Sequence, residues 1–308
     1  MAVSEAKSSH QADLTDSPQV SISAVENQMQ KLVWQMSVQP GVAEPIAQQA
    51  AAYHLASGGQ RIRAQLAIQA GLALKLCAGD TVLIAAACEL VHNASLVHDD
   101  LQDRDLARHG VETVWSAYGE GVAICAGDLL LSAAYCALAD ISRPHLLATL
   151  LPMIHNHISD ASAGQCADLA SEKTCTFSLQ DYEKLAALKS GALLALPIEL
   201  ALVAAGELQA IRLARRAAES FAIGYQVFDD LKDVQKDLAR AVPQPAVNVV
   251  AVIQASNPGQ DARLLARQLA VAHLDMAAQS SLSLPHQSGQ LLGQFARDLR
   301  ARVSLDAV

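Results

Sequence analysis

Twice in this chain an apolar run ends in the same spacing of aspartates. Asp99, Asp100 and Asp103 close the run from Thr81 to Val97, and Asp229, Asp230 and Asp233 close FAIGYQVF, 130 residues later. The first run is rich in Ala, Leu, Val and Ile, contains no Pro or Gly, and predicts a buried helix. On a helix the first and last acids of each group lie on one face, about 6 Å apart along the axis. Asp100 is turned about 100° from Asp99. One such group is explained as well by a solvated acidic turn, but two copies at the C-terminal ends of oily helices are harder to read as surface decoration. The placement also adds to the negative end of each helix dipole. Carboxylates gathered there repel one another and require a cation. A hard divalent ion suits oxygen ligands and commonly takes substrate phosphates as further ligands. Asp105, Arg108 and His109 follow the first group, and Gly110 offers a helix end.

At 308 residues, with 52% hydrophobic and 17% charged residues, the chain supports a sizeable core. Aromatics are only 4%, so that core is mainly aliphatic. The net charge of -9 argues against a nucleic-acid partner, because no basic stripe is present to neutralise a phosphate backbone. A small phosphorylated ligand remains compatible, since bound metal ions invert the local charge of an acidic cleft. Six cysteines without a CxxC pair read as reduced core residues of a cytoplasmic protein. No uninterrupted apolar stretch suggests an integral membrane segment, and the N-terminus carries no export signal.

Residues 1–22 are polar and predict a disordered N-terminal segment, ahead of one all-α domain over 23–308. Helices are expected near 24–36 and 45–56. Gly58 and Gly59 then precede Gln60, Arg61 and Arg63 at a new helix start, which suits an anion, although a C-cap before a solvated start explains the same residues. Another helix is expected near 121–139, and Pro144 and Pro152 bracket the next turn. Gln165 and Asp168 share a helical side. Lys189, among Ala and Leu, either snorkels to solvent or enters a polar cleft. His155 and His157 form an HNH tripeptide that reads as turn chemistry. No P-loop, Rossmann glycine pattern, HExxH or G-x-S-x-G is present.

Over roughly residues 30 to 305 the sequence resembles the trans-type prenyl diphosphate synthases. Asp99, Asp100 and Asp103 match the first aspartate-rich motif of that family. Asp229, Asp230 and Asp233 match the second, preceded by Gln226. The resemblance implies an isoprenoid-synthase-like helical bundle around a deep cavity, a homodimer, and three magnesium ions per active site. It implies metal ligation by Asp99, Asp100, Asp103, Asp229 and Asp233, with Asp230 also in the catalytic group. Arg108, Gln165, Lys189, Ser190 and Gln226 would hold an allylic diphosphate. Gly59, Gln60, Arg63, His92 and His109 would hold isopentenyl diphosphate. The implied activity is condensation of dimethylallyl, geranyl or farnesyl diphosphate with isopentenyl diphosphate, releasing pyrophosphate.

The chain departs from the family where cations are expected. Gln60 replaces a lysine, His109 an arginine, Ser190 a threonine and Glu112 a proline. The segment Ala241-Val242-Pro243-Gln244-Pro245 replaces a lysine-bearing loop. Each lost charge-assisted phosphate contact is worth roughly 1.5–3 kcal/mol. Two other readings follow: a diphosphate-ionising cyclase or lyase that does not use isopentenyl diphosphate, and a weakly active partner subunit. Ala94, Val91 and Ala87 lie at increasing depth before Asp99 and none is aromatic. A pocket open past Ala94 is therefore expected, with products of fifteen or twenty carbons or longer.

Overall fold

The computed structural model describes residues 20–35, 45–171, 177–239 and 248–305, with the side chains of 171 and 233–239 outside that description. Residues 1–19 and the 241–245 segment also fall outside it. The described residues are almost wholly helical, in the order α1 (Ile22–Val33), α2 (Ile46–Ala56), α3 (Ile62–Ala73) and α4 (Ala78–Gln102). A two-stranded hairpin follows, β1 (Ala107–Arg108) and β2 (Val111–Glu112), then α5 (Val114–Tyr118), α6 (Glu120–Ala139) and α7 (Leu147–Ser171). Next come α8 (Leu179–Ala186), a π-helical turn at Ala187–Gly191, α9 (Ala192–Ala205) and α10 (Ile211–Ala239). The chain closes with α11 (Val249–Ser256), α12 (Ala262–Leu282) and α13 (Gln290–Leu305).

The buried aliphatic residues form two clusters. One is built around α4, with α1, α2, α6 and α7; the other around α10, with α8, α11, α12 and α13; α3 and α9 contribute to both. The all-α expectation therefore holds. α4 is lined inward by Ile84, Ala87, Leu90, Val91, Ala94 and Val97, all 2% exposed or less, which is why a chain poor in aromatics packs so tightly here. Its small side chains let the neighbouring helices approach.

Several local expectations change. α4 ends at Gln102 with Asp103 as its cap, rather than continuing to Gly110, because Arg104 takes a left-handed φ of 59°. Gly110 serves the hairpin instead: His109 and Gly110 have φ of 53° and 80°, the pair of positive angles that a tight two-residue hairpin needs. Pro152 lies inside α7 rather than at a turn. It forfeits a hydrogen bond near the helix start, but packing of α7 against α6 and α9 carries the helix through. His155 and His157 are likewise helical. His157 is 1% exposed, with Nδ1 2.8 Å from the Met153 carbonyl and Nε2 2.9 Å from Arg215 Nη2. Glu199 Oε2 is 3.2 Å from the same Nε2, so a polar cluster holds α7, α9 and α10 together.

Three helical stretches, Ala78–Gln102, Glu120–Ala139 and Leu179–Ala205, are long and apolar enough to cross a bilayer by length and composition. In the first and third, 72% and 78% of the most apolar window is buried within the fold, against 44% in α6. The five described cysteines are free thiols, and Cys175 lies outside the described residues.

Candidate active site

Two cavities flank the C-terminal half of α4. The larger, about 510 Å³, is walled by α3 and the Gly58-Gly59 loop, α4, the β-hairpin, α10 and α13. It gathers Gly59, Gln60, Arg63, His92 and His109, with Arg108 and Ser190 on the same wall. The smaller, about 150 Å³, lies between α4, α6, α7 and α9 and is lined by Val91, Asp99, Gln165 and Lys189, among others. Leu96 of α4 and Tyr225 of α10 both face the larger cavity, three and four residues before Asp99 and Asp229 respectively. Both acid groups therefore lie about one helical turn beyond the same cavity.

The acids of the first group divide by direction. Asp100 is turned inward and is 1% exposed; its Oδ1 accepts from Arg108 Nε at 2.8 Å and Nη2 at 2.6 Å, while its buried Oδ2 has no partner. Asp103 is exposed at the end of α4, and Asp99 is half-buried on the wall of the smaller cavity. Burial and the neighbouring Asp103 and Asp100 push the Asp99 carboxyl up to about 6, against the pull of Lys189 and Arg108. Burial also raises Asp103. The second group shows the same division. Asp229 is exposed, while Asp230 accepts at Oδ2 from Tyr182 Oη and the Val249 N–H, both at 2.8 Å, and at Oδ1 from Gln226 Nε2 at 2.9 Å. The side chain of Asp233 lies outside the described residues.

Among the described residues no group of three or more His, Cys, Asp or Glu side chains is assembled into a metal cage. Crowded Asp99 and Asp103, with the orphaned Asp100 oxygen behind them, nevertheless fit a magnesium ion. That ion is usually held by one or two carboxylates plus waters and substrate phosphates.

Lys189 sits in the π-turn, a device often found at functional sites. Its Nζ is 2.5 Å from Asp168 Oδ2 on α7, and its charge acts on both Asp99 and Asp103. Gly164 makes this approach possible: a Cβ there would come within 2.5 Å of the Lys189 backbone nitrogen. Gln165, 8% exposed, lines the smaller cavity with both amide atoms unpartnered. Ala94 and Ala87 are packed inside the core, so Val91 alone of the three depth positions reaches the cavity wall, alongside Leu131, Ile158 and Leu193.

The hairpin that presents Arg108 and His109 is pinned from several sides. Tyr53 Oη donates to the Glu112 carbonyl at 2.9 Å, and Thr113 Oγ1 and Trp115 Nε1 donate to the Asp105 carbonyl at 2.7 and 2.8 Å. In the larger cavity Arg63 Nη1 donates to His92 Nε2 at 3.0 Å, and burial holds His92 well below the usual imidazole range. Nearby His54 is lowered to about 4 by burial and by Arg108 and Arg61. His54, Tyr225, Phe295 and Arg302 line this cavity without any motif to mark them.

A family model described as polyprenyl synthetase matches residues 44–242. The chain belongs to the polyprenyl synthetase family. Geranylgeranyl diphosphate synthase of Rhodobacter capsulatus is 34% identical over 217 residues, 67% of this chain and 71% of that protein. Geranylgeranyl diphosphate synthase of Mycobacterium tuberculosis is 32% identical over 196 residues, 60% of this chain but only 56% of its own length. In structure, this polyprenyl synthetase family member is similar to geranylgeranyl pyrophosphate synthetase from Geoglobus acetivorans. The TM-score is 0.78 over 90% of this chain and 97% of the other, at 22% identity, which establishes the shared isoprenoid-synthase helical fold.

Proposed function

We propose that this protein is a magnesium-dependent prenyltransferase that joins an allylic diphosphate to isopentenyl diphosphate. The observation carrying this reading is the pairing of Asp99 and Asp103 with Lys189 at the smaller cavity, next to a second cavity walled by basic residues. The basic second cavity favours two diphosphate substrates over a cyclase or lyase that would need one.

Magnesium, which Asp99, Asp103, Asp229 and Asp233 would hold, would supply Lewis-acid stabilisation of the leaving diphosphate. Lys189 and Arg108 add fixed positive charge beside it. Asp100 holds Arg108 in place, and Gly164 holds Lys189 against α7. Leu96, Leu194 and Phe221 line the space next to the departing group and keep water from the allylic cation. The second substrate presents its alkene from the larger cavity, with its diphosphate toward Arg63 and His109. Pyrophosphate then takes the proton that completes the product.

The smaller cavity suits a short donor. A void of about 150 Å³ is the size that accepts a benzene-sized guest, roughly one isoprene unit. Dimethylallyl diphosphate is thus the best-fitting first donor, and longer products require Leu131 or Ile158 to yield. The outward apolar flank of α6, including Ile124 at 48% exposure, supports a homodimer formed through that helix. Free thiols support a reducing, cytoplasmic location.

Radiolabelled isopentenyl diphosphate, supplied with each allylic donor with and without magnesium, tests the reading. Magnesium-dependent elongation is expected. Release of pyrophosphate from the donor alone, with no label in the product, would favour the cyclase or lyase. Turnover only after addition of a partner chain would favour the partner-subunit role.

A further inference from the structure

We propose that Arg215, on α10, is a positioning residue for Lys189: its guanidinium pins α7 to α9, and that grip sets where the π-turn holds the Lys189 ammonium. This rests on the reading of Lys189 as the cation beside the leaving diphosphate. His157, Asp160, Gly164 and Asp168 of α7 follow one another at helical spacing and form a single stripe. The chain that runs from the π-turn into α9 meets this stripe in antiparallel order. At one end Asp168 Oδ2 is 2.5 Å from Lys189 Nζ, and Gly164 lets the Lys189 backbone lie against α7. At the other end His157 Nε2 is 3.2 Å from Glu199 Oε2.

Arg215 closes that second end. Its Nε donates to Glu199 Oε1 at 2.8 Å, its Nη1 donates to Asp160 Oδ2 at 3.0 Å, and its Nη2 lies 2.9 Å from His157 Nε2. One planar fork thus ties two residues of α7 and one of α9 to α10. His157 and Glu199 are each 1% exposed, so water cannot take its place. Burial pushes the Glu199 carboxyl up, yet His157 and Arg215 hold it below its ordinary value, which keeps it charged for the fork.

The π-turn depends on its neighbours for its place, and they press on it from two sides. α7 does so at Gly164, and α10 at Glu219, whose Cα is 3.0 Å from where a Cβ on Gly191 would sit. Glu219 is one helical turn beyond Arg215. Arg215 therefore fixes the two jaws relative to each other, about 15 Å along the chain from Lys189. If α7 slid by a fraction of a turn, the Gly164 and Asp168 contacts would move with it. The ammonium would then shift relative to Asp99 and Asp103, on both of which its charge acts.

The test is a double-mutant cycle of Arg215→Gln, Lys189→Ala and the pair, read by steady-state condensation kinetics with magnesium. Arg215→Gln alone should lower kcat about 10- to 100-fold, with the KM for isopentenyl diphosphate unchanged. In the Lys189→Ala background the same change should cost about twofold or less. An unchanged kcat, or a loss of equal size in both backgrounds, would overturn the assignment, because a merely structural contact acts whether or not Lys189 is present. Should Arg215→Gln not fold, Asp160→Asn, which removes only the half-exposed arm of the pin, takes its place in the cycle. If the wild type incorporates no isopentenyl diphosphate, the prenyltransfer reading falls instead. Hydrogen exchange, which needs no substrate, then decides Arg215: faster exchange at amides 188–191 with α12 unchanged upholds the pin, and exchange altered everywhere alike, or nowhere, removes it.

Discussion

The phenol of Tyr182 on α8 donates to Oδ2 of Asp230 on α10 at 2.8 Å, and the first turn of α11 donates to the same oxygen through the Val249 N–H. One buried carboxylate thus ties three helices at the base of the second acid group. Tyr182→Phe removes a charge-assisted hydrogen bond inside the protein, and should lower stability by about 1–3 kcal/mol. Urea unfolding should show the loss, while turnover at 25 °C falls much less than in Asp229→Asn.

Asp99 and Asp100 are adjacent, yet their removal should read out differently. Asp100→Asn breaks the clamp on Arg108 and leaves the guanidinium half-buried without its counter-charge, so it should destabilise the fold. Asp99→Asn relieves crowding, because the Asp99 carboxyl is held above its ordinary value in the folded chain. It should leave the metal-free protein as stable as wild type or more so at pH 7, while cutting turnover by about 10²-fold or more. Thermal melts in EDTA beside magnesium-supported assays separate the two.

Gly164→Ala should impair Lys189 without touching it chemically. The added methyl would meet the Lys189 backbone at 2.5–2.8 Å, so α7 or the π-turn must shift. Overpacking of this kind costs about 1–3 kcal/mol. A fall in kcat larger than the change in KM for isopentenyl diphosphate is expected.

Two histidines make stability depend on pH. His54, at 5% exposure, is lowered to about 4, and His92 is held well below its ordinary value by burial and Arg63. Their unfolded forms take up protons near the ordinary value of about 6.5, so acid favours the unfolded chain. The contribution is present above about 6.5 and is lost as pH falls toward 4. The denaturant midpoint should drop between pH 7 and 5, and His54→Gln should flatten that slope.

The smaller cavity sets a fifth contrast. Leu131→Ala or Ile158→Ala opens the wall beyond Val91. Either should lengthen the products formed from dimethylallyl diphosphate, measured by chromatography after dephosphorylation, relative to a ten-carbon limit in the wild type.

Spacing and hydropathy were enough to read the helices, the two acid groups and the basic glycine-rich entrance, because each is written in contiguous residues. The division of labour within each acid group was not. Asp100 and Asp230 differ from Asp99 and Asp229 only in which way the helix is rotated, and that rotation is decided by Arg108, Tyr182 and Val249, from other parts of the chain. The shape of the pocket was not legible for a related reason. Ala94 is small, but it packs against neighbouring helices, so its missing bulk closes the core and opens no space. His157 looked like a turn residue because its partners, Glu199 and Arg215, arrive from two later helices.

α6 turns Leu131 toward the hydrocarbon hollow and Ile124 toward the outside. A rod cannot be pressed on one flank without moving the other. Under the proposed function, a partner gripping the outer flank would bear on the wall against which the product grows, and by linkage the growing chain would change that grip by the same free energy.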